Sequence, residues 1–292
     1  MAHSLKTEWP GRAAALALAV VLAGLAQAGS ESSVELAFTR RGEPVAVLDL
    51  AALRRAVEPA QVRVLEPYED GEATFDALPL VDVLDAVHGR GWRDEEELLF
   101  TCRDGYQPTV PVARVLSHRA WLAFDRVDAE GFAIRKRESG SLKRVELGPF
   151  YLVWENLEDA QIRLESDYGW PYQLVGIDLI RSADHFPKLA PPAGASEPVR
   201  AGFAAYRVHC SKCHKLNGEG GNLGPELNAP GRPLADRDPA WLRAWIEEPE
   251  RIRPNTRMEP LNPKLPDRER VVEEIIAYLH AMVGTKPAPG AR

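Results

Sequence analysis

The sequence predicts two domains, an N-terminal one that is α+β or mostly β and a C-terminal one that is all-α. Three observations predict this division. Short strand-like apolar runs recur in the first part of the chain, whereas apolar residues recur at helical intervals in the last third. A proline-rich segment without a hydrophobic period separates the two. The length of 292 residues is enough for two domains of ordinary size.

The balance of acidic and basic residues limits the kinds of macromolecule that the protein is expected to bind. The chain carries 43 acidic and 36 basic residues, a formal net charge of −7. This acidic balance argues against nucleic acid as a main partner, because phosphates require a basic face. A basic protein surface is a more natural partner. Three cysteines are too few for a disulfide scaffold.

The N-terminus is typical of a secretory signal peptide. Lys6 and Arg12 precede an apolar run at 13–25, and Ala26-Gln27-Ala28 forms a small-x-small cleavage pattern. An uncleaved membrane anchor is the alternative, but the run is shorter than the roughly 20 residues that a bilayer span needs. We therefore expect residues 1–28 to be removed. The mature chain would carry a charge of −8, have no transmembrane segment and lie in a periplasm.

We expect residues 33–186 to form the N-terminal domain, which is α+β or mostly β. Within them, residues 127–147 are polar and strongly basic, which indicates a solvated hairpin or, alternatively, a docking patch for an acidic partner. The predicted helix is 80–87, and the predicted strands are 45–48, 62–65, 98–101, 150–153 and 175–180.

Residues 187–198 form the predicted proline-rich linker, and residues 199–284 the helical domain. Trp241 and Trp245 lie four positions apart on one predicted helix face, which indicates core packing. Residues 285–292 are predicted to form a disordered tail. The predicted helices are 198–210, 239–247 and 266–283.

The motif that carries chemistry is Cys-Ser-Lys-Cys-His at 210–214, the C-x-x-C-H signature of covalent haem attachment. On a helical turn, thiols three positions apart face the same way and can reach two vinyl groups of one porphyrin. His214 can then meet the iron from the same face. A redox disulfide would need a thioredoxin-like context. A zinc site would need a second ligand pair, and Cys102 is the only other thiol.

Other spaced residues support this interpretation. Gly202 and Tyr206 in the first predicted helix, Tyr278 in the last and the Gly224-Pro225 pair resemble positions of class I cytochrome c domains. The resemblance covers residues 199–284. It implies one covalent haem c, a contact between the first and last helices, and a hydrogen bond from the proximal imidazole to the carbonyl of Pro225, which would tune the iron.

The second axial ligand has two candidate methionines after signal removal, Met258 and Met282. Met258 lies in a stretch, 254–260, that is similar to the methionine loop of the family, whereas Met282 is predicted to pack in the core. The stretch departs from the methionine loop of the family at two positions. Asn255 stands where the family usually has glycine, although asparagine tolerates left-handed backbone, and Glu259 intervenes before the proline.

His209 and His280 are rival ligands. We expect His209 to point away from the iron and His280 to lie at the surface. A His214/Met258 ligand pair leaves no open position on the iron and raises its reduction potential, which favours electron transfer.

The first domain carries a second resemblance. Residues 75–84, 104–106, 110–112, 148–151 and 170–177 are similar to segments of the molybdopterin-binding domain of sulfite oxidase-type enzymes. The resemblance spans roughly residues 33–183 and implies that fold.

The metal-binding residue of that family is missing. Its members bind molybdenum through a cysteine upstream of the first of these segments. Residues 30–74 contain none, and Cys102 lies at a position that does not match. Cys102 is therefore predicted to be a buried structural thiol, and the domain to lack the molybdenum cofactor.

The sequence thus predicts an electron-transfer protein rather than an enzyme. Its partners would be periplasmic or membrane-bound redox proteins, and the first domain would bind such a partner or position the haem. The alternatives are a haem-containing molybdenum oxidoreductase of sulfite dehydrogenase type and a haem-linked sensor or binding module.

Overall fold

The computed structural model describes residues 35–138, 141–165, 169–229 and 237–283. The predicted signal peptide, 1–28, and the predicted tail, 285–292, lie outside the described residues. The described residues all fall in one compact unit. No helix among them is both long and apolar enough to cross a membrane.

Strands dominate the N-terminal part and helices the C-terminal part, as predicted. The strands are β1 (Glu35–Arg40), β2 (Glu43–Asp49), β3 (Ala60–Glu66), β4 (Gly71–Pro79), β5 (Glu97–Cys102), β6 (Thr109–Pro111), β7 (Ala120–Arg126), β8 (Ala133–Glu138), β9 (Ser141–Glu146), β10 (Tyr151–Trp154) and β11 (Leu174–Ile180). The helices are α1 (Leu50–Ala56), α2 (Leu80–His88), α3 (Val112–Ser117), α4 (Ala160–Glu165), α5 (Ser182–His185), α6 (Glu197–His209), α7 (Pro239–Glu247), α8 (Pro249–Ile252) and α9 (Arg268–Val283).

The N-terminal part contains two larger sheets. The first has the strand order β2-β1-β11-β5-β6, in which only β1 and β11 run parallel, with Phe38 opposite Ile177. The second has the order β10-β7-β4-β3 and is antiparallel throughout. Phe38 of the first sheet, Phe75 of the second and Leu84 of α2 belong to one buried cluster. The core of this part is therefore shared between the sheets and α2.

The basic segment forms the predicted hairpin. Strands β8 and β9 pair antiparallel, with Arg135 opposite Arg144 and Lys136 opposite Lys143. Like charges directly opposite each other destabilise a ladder, so these side chains must find partners elsewhere. Arg144 pairs with Glu146 at 2.9 Å, and Lys136 reaches the C-terminal part.

Helices α6 and α9 pack directly against each other, as the resemblance implied. A Cβ atom on Gly202 would lie 1.8 Å from the backbone oxygen of Glu274, so only glycine permits this approach. The rings of Tyr206 and Tyr278 lie beside this contact, with centroids 5.2 Å apart. Both rings are fully buried.

The core of the helical part continues into the first sheet. Leu99 of β5 and Ile180 of β11 belong to the same buried cluster as Tyr206. Leu189, in the proline-rich segment, is also buried there, and its carbonyl accepts a hydrogen bond from the Tyr278 hydroxyl at 2.6 Å. The start of this segment is thus packed against the helices.

Candidate haem site

The attachment segment, residues 210–214, continues directly from the end of α6. The backbone N–H of Cys210 donates to the Tyr206 carbonyl at 2.8 Å, and that of His214 to the Cys210 carbonyl at 2.9 Å. The N–H of Cys213 also donates to the Cys210 carbonyl, at 3.1 Å. These bonds hold the segment in a helical turn, which is the local geometry that the C-x-x-C-H spacing requires.

His214 is fixed by backbone on two sides. Its Nδ1 lies 2.7 Å from the carbonyl oxygen of Pro225, the hydrogen bond that the resemblance implied. A Cβ atom on Gly224 would lie 2.4 Å from Cε1 of the same ring, and the Gly224 N–H donates to the Cys213 carbonyl at 2.8 Å. Glycine is therefore required at 224 for the imidazole to occupy this position.

This arrangement determines the tautomer of His214. Nδ1 must carry the proton to donate to a carbonyl, so the lone pair resides on Nε2. Burial lowers the pKa of His214, against the opposing effect of the Pro225 hydrogen bond, and favours the neutral ring. A neutral imidazole with Nδ1 anchored and Nε2 bearing the lone pair is the form that ligates haem iron. The residues present thus fit a haem.

The two thiols have the chemistry of buried, protonated groups. Cys210 and Cys213 are free and partly buried. Burial raises the pKa of Cys210 to about 12 and that of Cys213 to about 11. Reactive redox cysteines have a depressed thiol pKa, so this setting argues against a redox pair. A zinc site would need further ligands beside these two thiols. No group of three or more metal-ligating His, Cys, Asp or Glu side chains occurs within the described ranges.

Met258 lies in the segment that the sequence singled out. The Met258 loop, residues 254–260, follows α8 without regular secondary structure, and Met258 is partly buried. Asn255 has a φ of 63°, so it does adopt the left-handed conformation expected of a residue in a glycine position. The charge of Glu259 raises the pKa of Cys213, so this loop lies close to the attachment segment.

The other candidate ligands differ in their surroundings. Met282 is 1 % exposed in the core of the helical part. His209 is partly buried, and burial lowers its pKa to about 4. His280 differs from the surface position predicted for it, because it is partly buried and its Nε2 is shielded from solvent. It lies on the last helix beside core residues, which accounts for this burial.

The rings of Trp241 and Trp245 stack, with their centroids 5.5 Å apart, and Trp241 packs against the core of the helical part.

The N-terminal part contacts the attachment segment directly, which sequence reasoning missed. In the β5–β6 loop, residues 103–108, the Gln107 N–H donates to the Lys212 carbonyl at 2.8 Å. The Gly105 carbonyl of the same loop accepts from the Asn222 N–H at 2.8 Å. Lys212 itself is buried, with Nζ 5.9 Å from the Tyr106 ring centroid. Backbone pairing between remote loops leaves no local pattern that would reveal it.

Cys102 ends β5, just before this loop. It is 4 % exposed, and burial raises the pKa of its thiol well above the usual range. The structure thus places Cys102 in the core of the N-terminal part. A thiol in this setting is protonated and packs as a small apolar side chain.

Comparison with known proteins identifies the C-terminal part. Residues 199–282 match the family model described as Cytochrome c. A search of curated proteins found no match. The C-terminal region is therefore a cytochrome c domain, and its resemblance to that family is confirmed. The N-terminal part is not identified by these comparisons, so its resemblance to the molybdopterin-binding domain stays a prediction.

Proposed function

We propose that the chain is a periplasmic monohaem c-type cytochrome that carries electrons between redox proteins. The cytochrome c domain implies covalent haem and haem-based electron transfer. In the proposal, Cys210 and Cys213 form the thioether bonds, while His214 and Met258 ligate the iron. When bound, the haem supplies a one-electron Fe(III)/Fe(II) couple.

One observation carries the proposal: the anchored ring of His214. Its Nδ1 is held by the Pro225 carbonyl and its flank by the backbone of Gly224, on a segment that also presents two partly buried thiols. An imidazole oriented in this way needs little rearrangement on changing the iron oxidation state. That rigidity suits electron transfer better than substrate chemistry.

Met258 is the proposed second axial ligand because Met282 is occupied in core packing. A thioether opposite an imidazole raises the reduction potential and fills the coordination sphere. We therefore expect a low-spin haem that does not bind oxygen.

For the N-terminal part we propose the docking or positioning of a redox partner. Its β5–β6 loop touches the attachment segment, so a partner bound there would lie near the electron-transfer centre. The molybdenum alternative requires a cysteine thiolate, and Cys102 is buried with a raised thiol pKa. This favours a carrier over a molybdenum oxidoreductase.

The test is elemental analysis of iron and molybdenum on protein made with haem c maturation and molybdenum cofactor synthesis both active. One iron per chain with a ferrous thioether-haem spectrum and no molybdenum supports the carrier. Molybdenum near one per chain, with substrate-dependent haem reduction, would replace the carrier by an oxidoreductase. A protein without covalent haem would refute the proposal entirely.

A further inference from the structure

The Met258 loop is tied to the N-terminal part by an ion pair. Nζ of Lys136, on β8, lies 2.6 Å from Oε1 of Glu259, the residue directly after Met258. The Lys136 side chain is 16 % exposed and that of Glu259 is 50 % exposed. The pair is therefore shielded more than an ordinary surface salt bridge, which contributes little because solvent screens it.

Lys136 is held in place by the core of the N-terminal part. Its Nζ lies 4.8 Å from the ring centroid of Tyr68, a cation–π distance. The Tyr68 hydroxyl in turn donates to the Trp170 carbonyl at 3.3 Å, and its ring packs edge-on against Tyr172. The neighbouring Arg135 N–H donates to a Glu69 carboxylate oxygen at 2.6 Å. The ammonium group is thus presented from a fixed support, so little side-chain entropy is lost in forming the pair.

The Met258 loop lies outside the helices and strands. It has no regular secondary structure, and two of its hydrogen bonds are local, from the Thr256 N–H to the Arg253 carbonyl and from the Met258 N–H to the Thr256 hydroxyl, each at 3.2 Å. The next long-range backbone bond joins Leu261 N–H to the Ile246 carbonyl at 2.9 Å. The contact of Lys136 with Glu259 spans 123 positions of the chain and acts at the residue beside the proposed ligand.

The same N-terminal part also contacts the attachment segment and the loop that leads to Pro225. Its β5–β6 loop binds the backbone of Lys212, inside the attachment segment, and of Asn222, in the loop leading to Pro225. The attachment segment with the loop that follows it, and the Met258 loop, are therefore joined to the N-terminal part by three long-range contacts. A ligand set held in this way is pre-organised.

We propose that Lys136 and Glu259 are a positioning pair, through which the N-terminal part holds Met258 on the haem iron. The proposal rests on the proposed function, since it takes Met258 as the axial ligand. Loosening the pair frees the loop to move away, so that an external ligand competes better for the sixth position. The methionine ligation and the reduction potential then depend on the N-terminal part.

The test uses the full-length holoprotein and two variants, Lys136→Met and Glu259→Gln, which break the pair from either side. Lys136→Arg keeps the charge and serves as the conservative variant. Arg144→Gln, which removes one positive charge from the same hairpin at its exposed pair with Glu146, is the matched control. The readouts are the affinity of the ferric haem for added imidazole, the sulfur-to-iron charge-transfer band and the reduction potential.

We expect Lys136→Met and Glu259→Gln each to tighten imidazole binding by about three- to tenfold, the size of effect of a partly shielded ion pair. Both should weaken the charge-transfer band and lower the potential, while Lys136→Arg and Arg144→Gln match wild type. Unchanged imidazole affinity and band in both pair-breaking variants would overturn the positioning role, and so would an Arg144→Gln variant that behaves like them.

The Met258→Ala variant tests whether Met258 is the ligand, independently of the ion pair between Lys136 and Glu259. Loss of the charge-transfer band in Met258→Ala establishes the ligand, whatever the pair-breaking variants show. A Met258→Ala spectrum and potential identical to wild type would instead refute the ligand assignment, and the positioning pair with it.

Discussion

A buried carboxylate in the N-terminal part gives the sharpest prediction of stability. Glu66, at the end of β3, is 0 % exposed. One of its oxygens accepts from the Tyr151 hydroxyl at 2.7 Å, and the other from the backbone N–H groups of Tyr68 and Glu69 at 2.9 and 3.0 Å. Burial raises its pKa from 4.5 to about 7, a shift that these hydrogen bonds only partly offset.

The raised pKa of Glu66 makes folding depend on pH. Below about pH 4.5 the carboxyl is protonated in both the folded and the unfolded chain. As the pH rises toward 7, the unfolded chain loses this proton first, so the contribution of Glu66 to the free energy of unfolding falls until the folded pKa is passed. At about 1.4 kcal/mol per unit of pKa, the loss is on the order of 3 kcal/mol.

The perturbation is Glu66→Gln, which keeps the shape of the side chain and removes its charge. We expect this variant to lack the fall in unfolding free energy and to exceed wild type in stability above pH 7. Urea denaturation followed by far-UV circular dichroism, at about pH 4.5 and about pH 7.5, measures the difference. Glu72→Gln, an exposed carboxylate on β4, is the control and should keep the wild-type dependence. Equal pH dependence in wild type and Glu66→Gln would refute the reasoning.

Three further predictions concern the helical part. Gly224→Ala places a Cβ 2.4 Å from the His214 ring and should reduce the yield of protein with a six-coordinate haem, measured as the low-spin spectrum per covalent haem. Gly202→Ala places a Cβ 1.8 Å from the Glu274 carbonyl and should cost about 3 kcal/mol or more, measured by urea denaturation; a loss below about 1 kcal/mol would contradict the close contact. The lowered pKa of His209, about 4, means that stability falls as the pH drops from 6.5 toward 4, and His209→Gln should remove that part of the fall in the same assay.

The sequence predicted those features that depend on local patterns. Helix α2 was visible because its apolar residues recur at helical spacing, and α6 and α9 because of the residues around Gly202 and Tyr278. The turn that carries Cys210 and His214 follows from the same kind of short-range rule. The division into a β-rich and a helical part was confirmed for this reason.

Features that depend on remote pairing could not be predicted. Strand β1 pairs parallel with β11, more than a hundred positions away, and no local pattern encodes this choice. Lys136 stood out only as one charge in a basic stretch, and nothing local indicated Glu259 as its partner. The Asp104-Gly105-Tyr106 segment suggested a resemblance, but its contact with Lys212 depends on how the two parts meet in space.

The contact between the β5–β6 loop and Lys212 also couples the local stability of the two parts of the chain. Lys212 lies between the two cysteines and is buried, and its carbonyl is already bonded to Gln107. The attachment segment therefore cannot open without breaking a bond to the N-terminal part, and local opening at either side of this contact affects the other.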